Sequence, residues 1–228
     1  MRYNMRKNGF SLIELSIVIV AISLIIAGII SGQSLLRSTR ILAVSSNITE
    51  YLSSIDSFKE KYMGLPGDLI NASDYFPDCS DAANNPCNGD GNGSLEEILA
   101  RKECTRSWQH LSFGKFTKLI TTGFALTPPI IGETIPESSI SQAGYWMCDE
   151  GVGNRIYLGY TDASNDIKGA VLTPPEAESI DKKLDDGAAT TGNVTAEDGT
   201  GKTGCLASGD YNFSNTNIEC IMLFAIEE

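Results

Sequence analysis

Residues 10–30 read FSLIELSIVIVAISLIIAGII, with Ser11, Glu14, Ser16 and Ser23 as the polar interruptions. A helix over this run is about 31 Å long, the hydrocarbon thickness of a bilayer. Outward on the N-terminal side lie Arg2, Arg6 and Lys7 with no acid. On the other side the chain turns acidic: residues 44–228 hold 12 basic and 28 acidic side chains, a net of −16. Basic residues before an apolar run orient it with Met1 in the cytoplasm and the acidic bulk outside. A secretory signal peptide would have a shorter apolar core followed by a small-residue cleavage site. Here the run continues in helical style as SGQSLL. A plain single-pass anchor accounts for the length but leaves Glu14 unexplained. A carboxylate inside a spanning helix costs about 2.5–3.5 kcal/mol on insertion scales, so a partner must be named for it. No Lys or Arg lies within a helical turn of Glu14. The nearby cation would be a new α-amino group, made by cutting the chain between Gly9 and Phe10.

With those residues in place, Lys7-Asn8-Gly9-Phe10-Ser11-Leu12-Ile13-Glu14 resembles the prepilin signature of type IV pilins and of the pseudopilins of type II secretion systems. A short basic leader, a Gly, an aromatic residue that becomes N-methylated, and a Glu five residues into the mature chain all match. The resemblance implies cleavage after Gly9 and methylation of Phe10 by a prepilin peptidase. It implies that the Glu14 carboxylate neutralises the α-amino group of a neighbouring subunit's Phe10, a buried pair that sets subunit offset as buried polar groups set register in coiled coils. The implied partners are the peptidase, other pilin or pseudopilin subunits, an inner-membrane assembly platform and membrane lipid. The implied location is a bacterial inner membrane, single-pass, with the head in the periplasm, and after assembly a periplasmic pseudopilus or a surface pilus. Leader and helix are common to pilus and pseudopilus. The expectation is a secretion pseudopilin, with a surface pilin for adhesion, motility or DNA uptake as the alternative, and an anchored domain that never polymerises as a third. Many members of the family have a proline near the position of Ser31; this chain has Gly28 and Gly32 instead.

Past the apolar run, Leu35, Leu36, Ile41, Leu42, Ile48, Leu52, Ile55 and Phe58 recur at three-, four- and seven-residue spacings, the mark of an amphipathic helix. There is no proline until Gly64-Leu65-Pro66-Gly67, a strong stop. The expected organisation is a leader at 1–9, a membrane and assembly helix at 10–30, its amphipathic continuation at 31–62 and a globular head at 63–228. The expected class is α+β: a long N-terminal helix packed on a head with an antiparallel sheet, short helices and disulfides. With 42% hydrophobic residues in a 228-residue chain of net charge −12, a packed core is expected and nucleic acid is not, because phosphate binding needs a cationic surface.

In the head, Asp68 is expected to cap a short helix through Ala72 and Tyr75. A helix is expected from about Leu95 through Trp108 and Leu111 to a stop at Gly123, with Cys104 or Gly114 as the place for a break. Residues 143–148 (AGYWMC), 155–161 (RIYLGYT), 169–172 (GAVL) and 220–226 (CIMLFAI) read as strands. Thr173-Pro174-Pro175-Glu176 is a capping box that opens a helix with Ala177, Ile180 and Leu184 on one face, closed by Gly187. Residues 187–204 read as a long surface loop. The segment from Ile180 to Gly187 (IDKKLDDG) also resembles a recurring stretch of large pilin-like proteins, though a charged, exposed helix face suffices to explain it.

Asn88-x-Asp90-x-Asn92-Gly93 has the alternating oxygen ligands and sharp glycine turn that a hard cation favours. The twelfth position is Leu99 rather than Glu, so the EF-hand pattern fails; Glu96 and Glu97 sit nearer, and Glu96 is taken as the candidate fourth ligand in a shorter calcium loop. Some pseudopilins bind calcium, which the resemblance adds in its favour; a solvated turn cluster is the plain alternative. No other cofactor is expected. Six cysteines, Cys79, Cys87, Cys104, Cys148, Cys205 and Cys220, lie outside the apolar run. An even count on the exported side favours three disulfides, with fifteen pairings open. The pilin resemblance suggests Cys205–Cys220 around the C-terminal region; Cys79–Cys87 would clamp the Asn/Asp loop and leave Cys104–Cys148. No close CxxC pair argues for zinc. The single His110 sits among apolar helical positions, no G-x-S-x-G elbow is present, and Gly151-Val152-Gly153 lacks the context of a dinucleotide loop. No enzyme is expected.

Overall fold

The computed structural model describes residues 11–79, 87–98, 101–118, 129–163 and 166–227. In chain order the elements are α1 (Leu12–Tyr62), α2 (Ala72–Tyr75), β1 (Glu97–Ile98), β2 (Arg101–Lys102), α3 (Glu103–Phe113), β3 (Gly144–Asp149), β4 (Asn154–Gly159), α4 (Pro174–Leu184), β5 (Val194–Asp198), β6 (Leu206–Ala207), β7 (Asp210–Tyr211) and β8 (Cys220–Ala225). The chain divides into two compact units, Met1–Arg40 and Ile41–Glu228.

The described part of the first unit is the apolar start of α1, whose 18-residue window of highest mean hydropathy, 2.8, is unburied. Helix α1 runs 51 residues, as the absence of proline and the amphipathic spacing predict. It ends where Met63 takes a φ of 56° and its N–H bonds the Lys59 carbonyl at 2.9 Å.

The second unit is an α+β head. Its antiparallel sheet has the strand order β3-β4-β8-β5. Helix α3 lies against β3, and α4 lies against β5 and β8. The middle strands are buried along most of their length, which is why 220–226 reads as a continuous apolar run rather than an alternating one. Val44, Ile48, Ile55 and Phe58 of α1 join Trp108, Tyr145, Trp146 and Phe224 in one hydrophobic core. Tyr51 meets Trp108 and Tyr145 edge to face, with centroids 4.8 and 5.1 Å apart, an arrangement that the ring quadrupoles favour. Three disulfides staple the head: Cys79–Cys87, Cys104–Cys148 and Cys205–Cys220, with Cα atoms 5.6, 4.7 and 4.9 Å apart.

Three expectations are corrected. The helix expected from Leu95 begins at Glu103, beside the expected break at Cys104, because Glu97–Ile98 pair with Arg101–Lys102 and Leu95 donates to Asn154 Oδ1 at 2.8 Å and accepts from the Asp149 N–H at 2.8 Å. The expected stop at Gly123 lies outside the described residues; α3 ends at Phe113, before Lys115 at φ 63°. The polar loop expected over 187–204 contains β5, an edge strand paired with β8 from Val194↔Phe224 to Asp198↔Cys220. Main-chain pairing makes that strand, and it buries just Val194 and Ala196, too little apolar pattern to read. Residues 169–172 form no strand but make isolated bridges, Tyr160↔Gly169 and Leu172↔Cys220. The capping box is present at α4, where the Glu176 carboxylate accepts from the Thr173 N–H at 2.9 Å and its Oγ1 at 2.8 Å.

Candidate functional site

Gly9 and Phe10, the expected processing residues, lie outside the described residues. Glu14 sits in the first turn of α1. Its Oε2 accepts from the Ser11 N–H at 2.8 Å and from Ser11 Oγ at 2.9 Å, while Ser11 Oγ accepts from the Glu14 N–H at 3.3 Å. This reciprocal pair is a capping box, and it holds the carboxylate at the helix start, beside the position where cleavage would create a new amine. The flanking apolar side chains, Leu12, Ile13, Leu15 and Ile17, are all exposed.

The Asn/Asp loop is organised around a residue outside the expected calcium set. Its centre is Asp68, which does not cap α2: the N-cap there is Asn71. Instead the Asp68 carboxylate accepts from the Gly91 N–H at 2.6 Å and the Gly93 N–H at 2.7 Å. Glu103, fully buried at the start of α3, accepts from the Asp90 N–H at 3.2 Å and the Glu96 N–H at 3.1 Å. The loop thus wraps its amides around two buried carboxylates. Asp68, Asp90 and Glu103 bring one carboxylate oxygen each within 4.8 Å of one another. The other expected calcium residues are engaged elsewhere: Asn88 Oδ1 accepts from the Ser73 N–H at 2.9 Å and Asn92 Oδ1 from the Ser94 N–H at 2.7 Å, while Glu96 is not in that group. Three carboxylates are an oxygen donor set that a hard cation accepts. Burial pushes Asp68 above the usual carboxylate range, against the two amides that favour its charged form. Burial, helped by the charges of Asp68 and Asp90, raises Glu103 to about 7. Close carboxylates in a low-dielectric site need a proton or a cation between them.

His110 anchors the same region from behind. Its Nδ1 accepts from the Gly67 N–H at 2.8 Å, and its Nε2 lies 2.9 Å from the Cys87 carbonyl. That pair of partners requires the neutral tautomer with the proton on Nε2. Burial lowers its pKa to about 4. Gly67 takes a φ of +97°, and a Cβ there would lie 2.4 Å from the Glu103 carbonyl oxygen, so a side chain would be strained and would clash. His110 therefore locks the Leu65-Pro66-Gly67-Asp68 turn to the disulfide-closed loop, a structural role with no reach to solvent. Cys79, Cys87 and His110 cluster, but both sulfurs are committed to the disulfide.

The IDKKLDDG segment is also more than an exposed face. Asp181 is buried and accepts from Tyr211 Oη at 2.8 Å and the Gly187 N–H at 3.2 Å. Asp185 accepts from the Asn193 and Val194 N–H groups, and Asp186 from the Ala188 N–H and Thr191 Oγ1. The three aspartates pin the connection from α4 to β5. Their charge disguised this role in the sequence; the signal was Asp at the end of a helix followed by Gly.

Residues 4–30 match the family model of the prokaryotic N-terminal methylation motif. No curated protein and no solved structure matches the chain. The matched segment takes in Arg6, Lys7, Gly9, Phe10, Glu14 and the apolar run. The chain thus carries the N-terminal methylation motif found in type IV pilin-like proteins, followed by an apolar helix long enough to cross a membrane and by a disulfide-stapled α+β head.

Proposed function

We propose that the chain is a structural subunit of a type IV filament, cut between Gly9 and Phe10 and polymerised through α1, and that it serves as a pseudopilin in protein secretion. The methylation-motif match over residues 4–30 supports the filament reading, which pilins and pseudopilins share. The apolar side chains of α1 supply the assembly energy when lipid contacts are exchanged for contacts with neighbouring helices. Glu14, presented by its Ser11 cap, supplies the offset by pairing with the amine of the next subunit's Phe10.

Two measurements test it in turn. Mass spectrometry of the membrane-extracted protein should find residues 1–9 removed and Phe10 carrying one extra methyl group; an intact leader would overturn the filament reading. Immunogold microscopy with antibody to the head then addresses location. Unlabelled cell surfaces, retention in the membrane fraction and loss of exoproteins on deletion support the pseudopilin. Labelled surface filaments would instead make the protein a surface pilin.

A further inference from the structure

On the face of the head that carries the β3 edge lies a shallow cleft of about 550 Å³, lined by Ile131, Glu137, Ser141, Gln142, Tyr160 and Thr161. We propose that it binds a neutral or N-acetylated hexopyranose, with Tyr160 as the stacking platform.

Three observations combine. Tyr160 pairs with Gly169 in an antiparallel bridge, each N–H bonding the other's carbonyl at 3.0 and 2.9 Å. Its ring lies against the glycine backbone, where a Cβ would collide with it. An aromatic laid over a cross-strand glycine is held in one orientation, yet Tyr160 remains 38% exposed and lines the cleft. A fixed, half-uncovered aromatic suits the apolar C–H face of a sugar ring, as stacking platforms suit bases. Second, Gln142 takes a φ of 64° at the tip of a turn closed by the Ala143 N–H on the Ile140 carbonyl at 3.1 Å. Glycine or asparagine ordinarily occupies such a position, and a long amide held there in an unfavourable backbone state points to a use for it. Third, Glu137, Ser141, Gln142 and Thr161 are polar, lie within or at the rim of the cleft, and show no side-chain hydrogen bond among the described residues. A carboxylate and an amide beside an aromatic present acceptor and donor pairs to vicinal hydroxyls. The half-buried Ile131 offers apolar contact for an acetyl methyl. Glu137 on a net acidic head excludes anionic sugars and nucleotides by repulsion.

The test is saturation-transfer NMR and calorimetric titration of the full-length protein in a zwitterionic detergent without a sugar headgroup, with N-acetylglucosamine trimer and maltotriose as probes. The expected result is transfer to ring C–H protons, a loss of affinity of about tenfold or more in Tyr160→Ala, and retention in Tyr160→Phe. Gly169→Ala, which displaces the ring, should weaken binding as well. If Tyr160→Ala loses its fold, Gln142→Ala, an exposed change, carries the comparison and should weaken binding at an unaltered melting midpoint. Absence of transfer from the wild-type protein to both probes, or equal binding by wild type and by folded Tyr160→Ala or Gln142→Ala, would overturn the proposal.

Discussion

Leu24 and Ile25, in the first half of α1, are 70% and 61% exposed, whereas Val44 and Phe58, in its second half, are fully buried. Both pairs lie on one 51-residue helix with no change of backbone. The difference is what each half is offered. From Ile41 onward the helix has a head to pack on, and a single stripe of its surface is apolar. Before Arg40 its described apolar side chains are exposed, and the run from Leu12 to Ile30 is apolar almost throughout. A helix hydrophobic all round is stable where its solvent is lipid or other helices. The comparison teaches that one secondary structure carries two kinds of stability, one internal to the fold and one supplied by the surroundings.

The largest expected effect tests that division. Phe58→Ala should cost the head about 3–5 kcal/mol, because it opens a cavity beneath Tyr62, Phe76 and Phe116. Ile25→Ala, a comparable truncation on the same helix, should leave the head's denaturant midpoint unchanged within about 0.5 kcal/mol. Equal losses would break the comparison.

Next comes the Cys205–Cys220 staple, which closes 15 residues around β6 and β7. Replacing both cysteines by serine should lower head stability by about 3 kcal/mol in the chain-entropy account, read by urea melts. The membrane association of α1 should be unaffected, since no internal packing of the head contributes to it.

A smaller effect concerns pH. Glu103 is raised to about 7 in the folded head from 4.5, so its contribution to stability is complete below about pH 4.5 and is lost as pH rises to about 7. His110 is lowered to about 4 from 6.5, so its contribution is complete above pH 6.5 and is lost as pH falls toward 4. The two slopes oppose each other between pH 4.5 and 6.5. Glu103→Gln removes one, and the melting midpoint should then fall more steeply on acidification from pH 6.5 to 4.5 than in the wild type. Calcium titration at pH 7.5 sharpens the result: a midpoint raised by calcium marks a cation as the counter-charge of Asp68, Asp90 and Glu103, and an unchanged midpoint marks the proton.

The smallest effect on the head should come from Glu14→Ala. Head stability should not change within about 0.5 kcal/mol, while filament yield falls sharply with leader removal intact. A normal yield would remove the role assigned to the carboxylate.

The apolar helix and the methylation motif of the N-terminal segment were legible because their determinants are local. Length, apolar run, leader charge and Glu14 each act within a few turns of helix, and the methylation motif occupies the same residues. The end of α1 was equally plain, since Gly64, Leu65, Pro66 and Gly67 break a helix whatever surrounds them. The capping box of α4 was readable for the same reason. The carboxylate-centred loop was not. Asp68 and Glu103 are 35 residues apart in sequence, and neither spacing nor composition ties them to the glycines and amides that they receive. A short Asn/Asp/Gly run looks the same whether its oxygens face a cation or its N–H groups face buried acids.

What the sequence alone determined is therefore the helix, the membrane-length apolar run, the processing motif and the α+β class, all governed by short-range periodicity and by steric stops. Tertiary structure alone decided the partner of each buried polar group. It turned Asp68 from a helix cap into the centre of a loop, Asp181 from a surface charge into the acceptor for Tyr211, and a polar stretch into the edge strand β5. Those outcomes depend on which distant main-chain donors burial leaves without water, because a buried carboxylate or amide must find its hydrogen bonds within the fold.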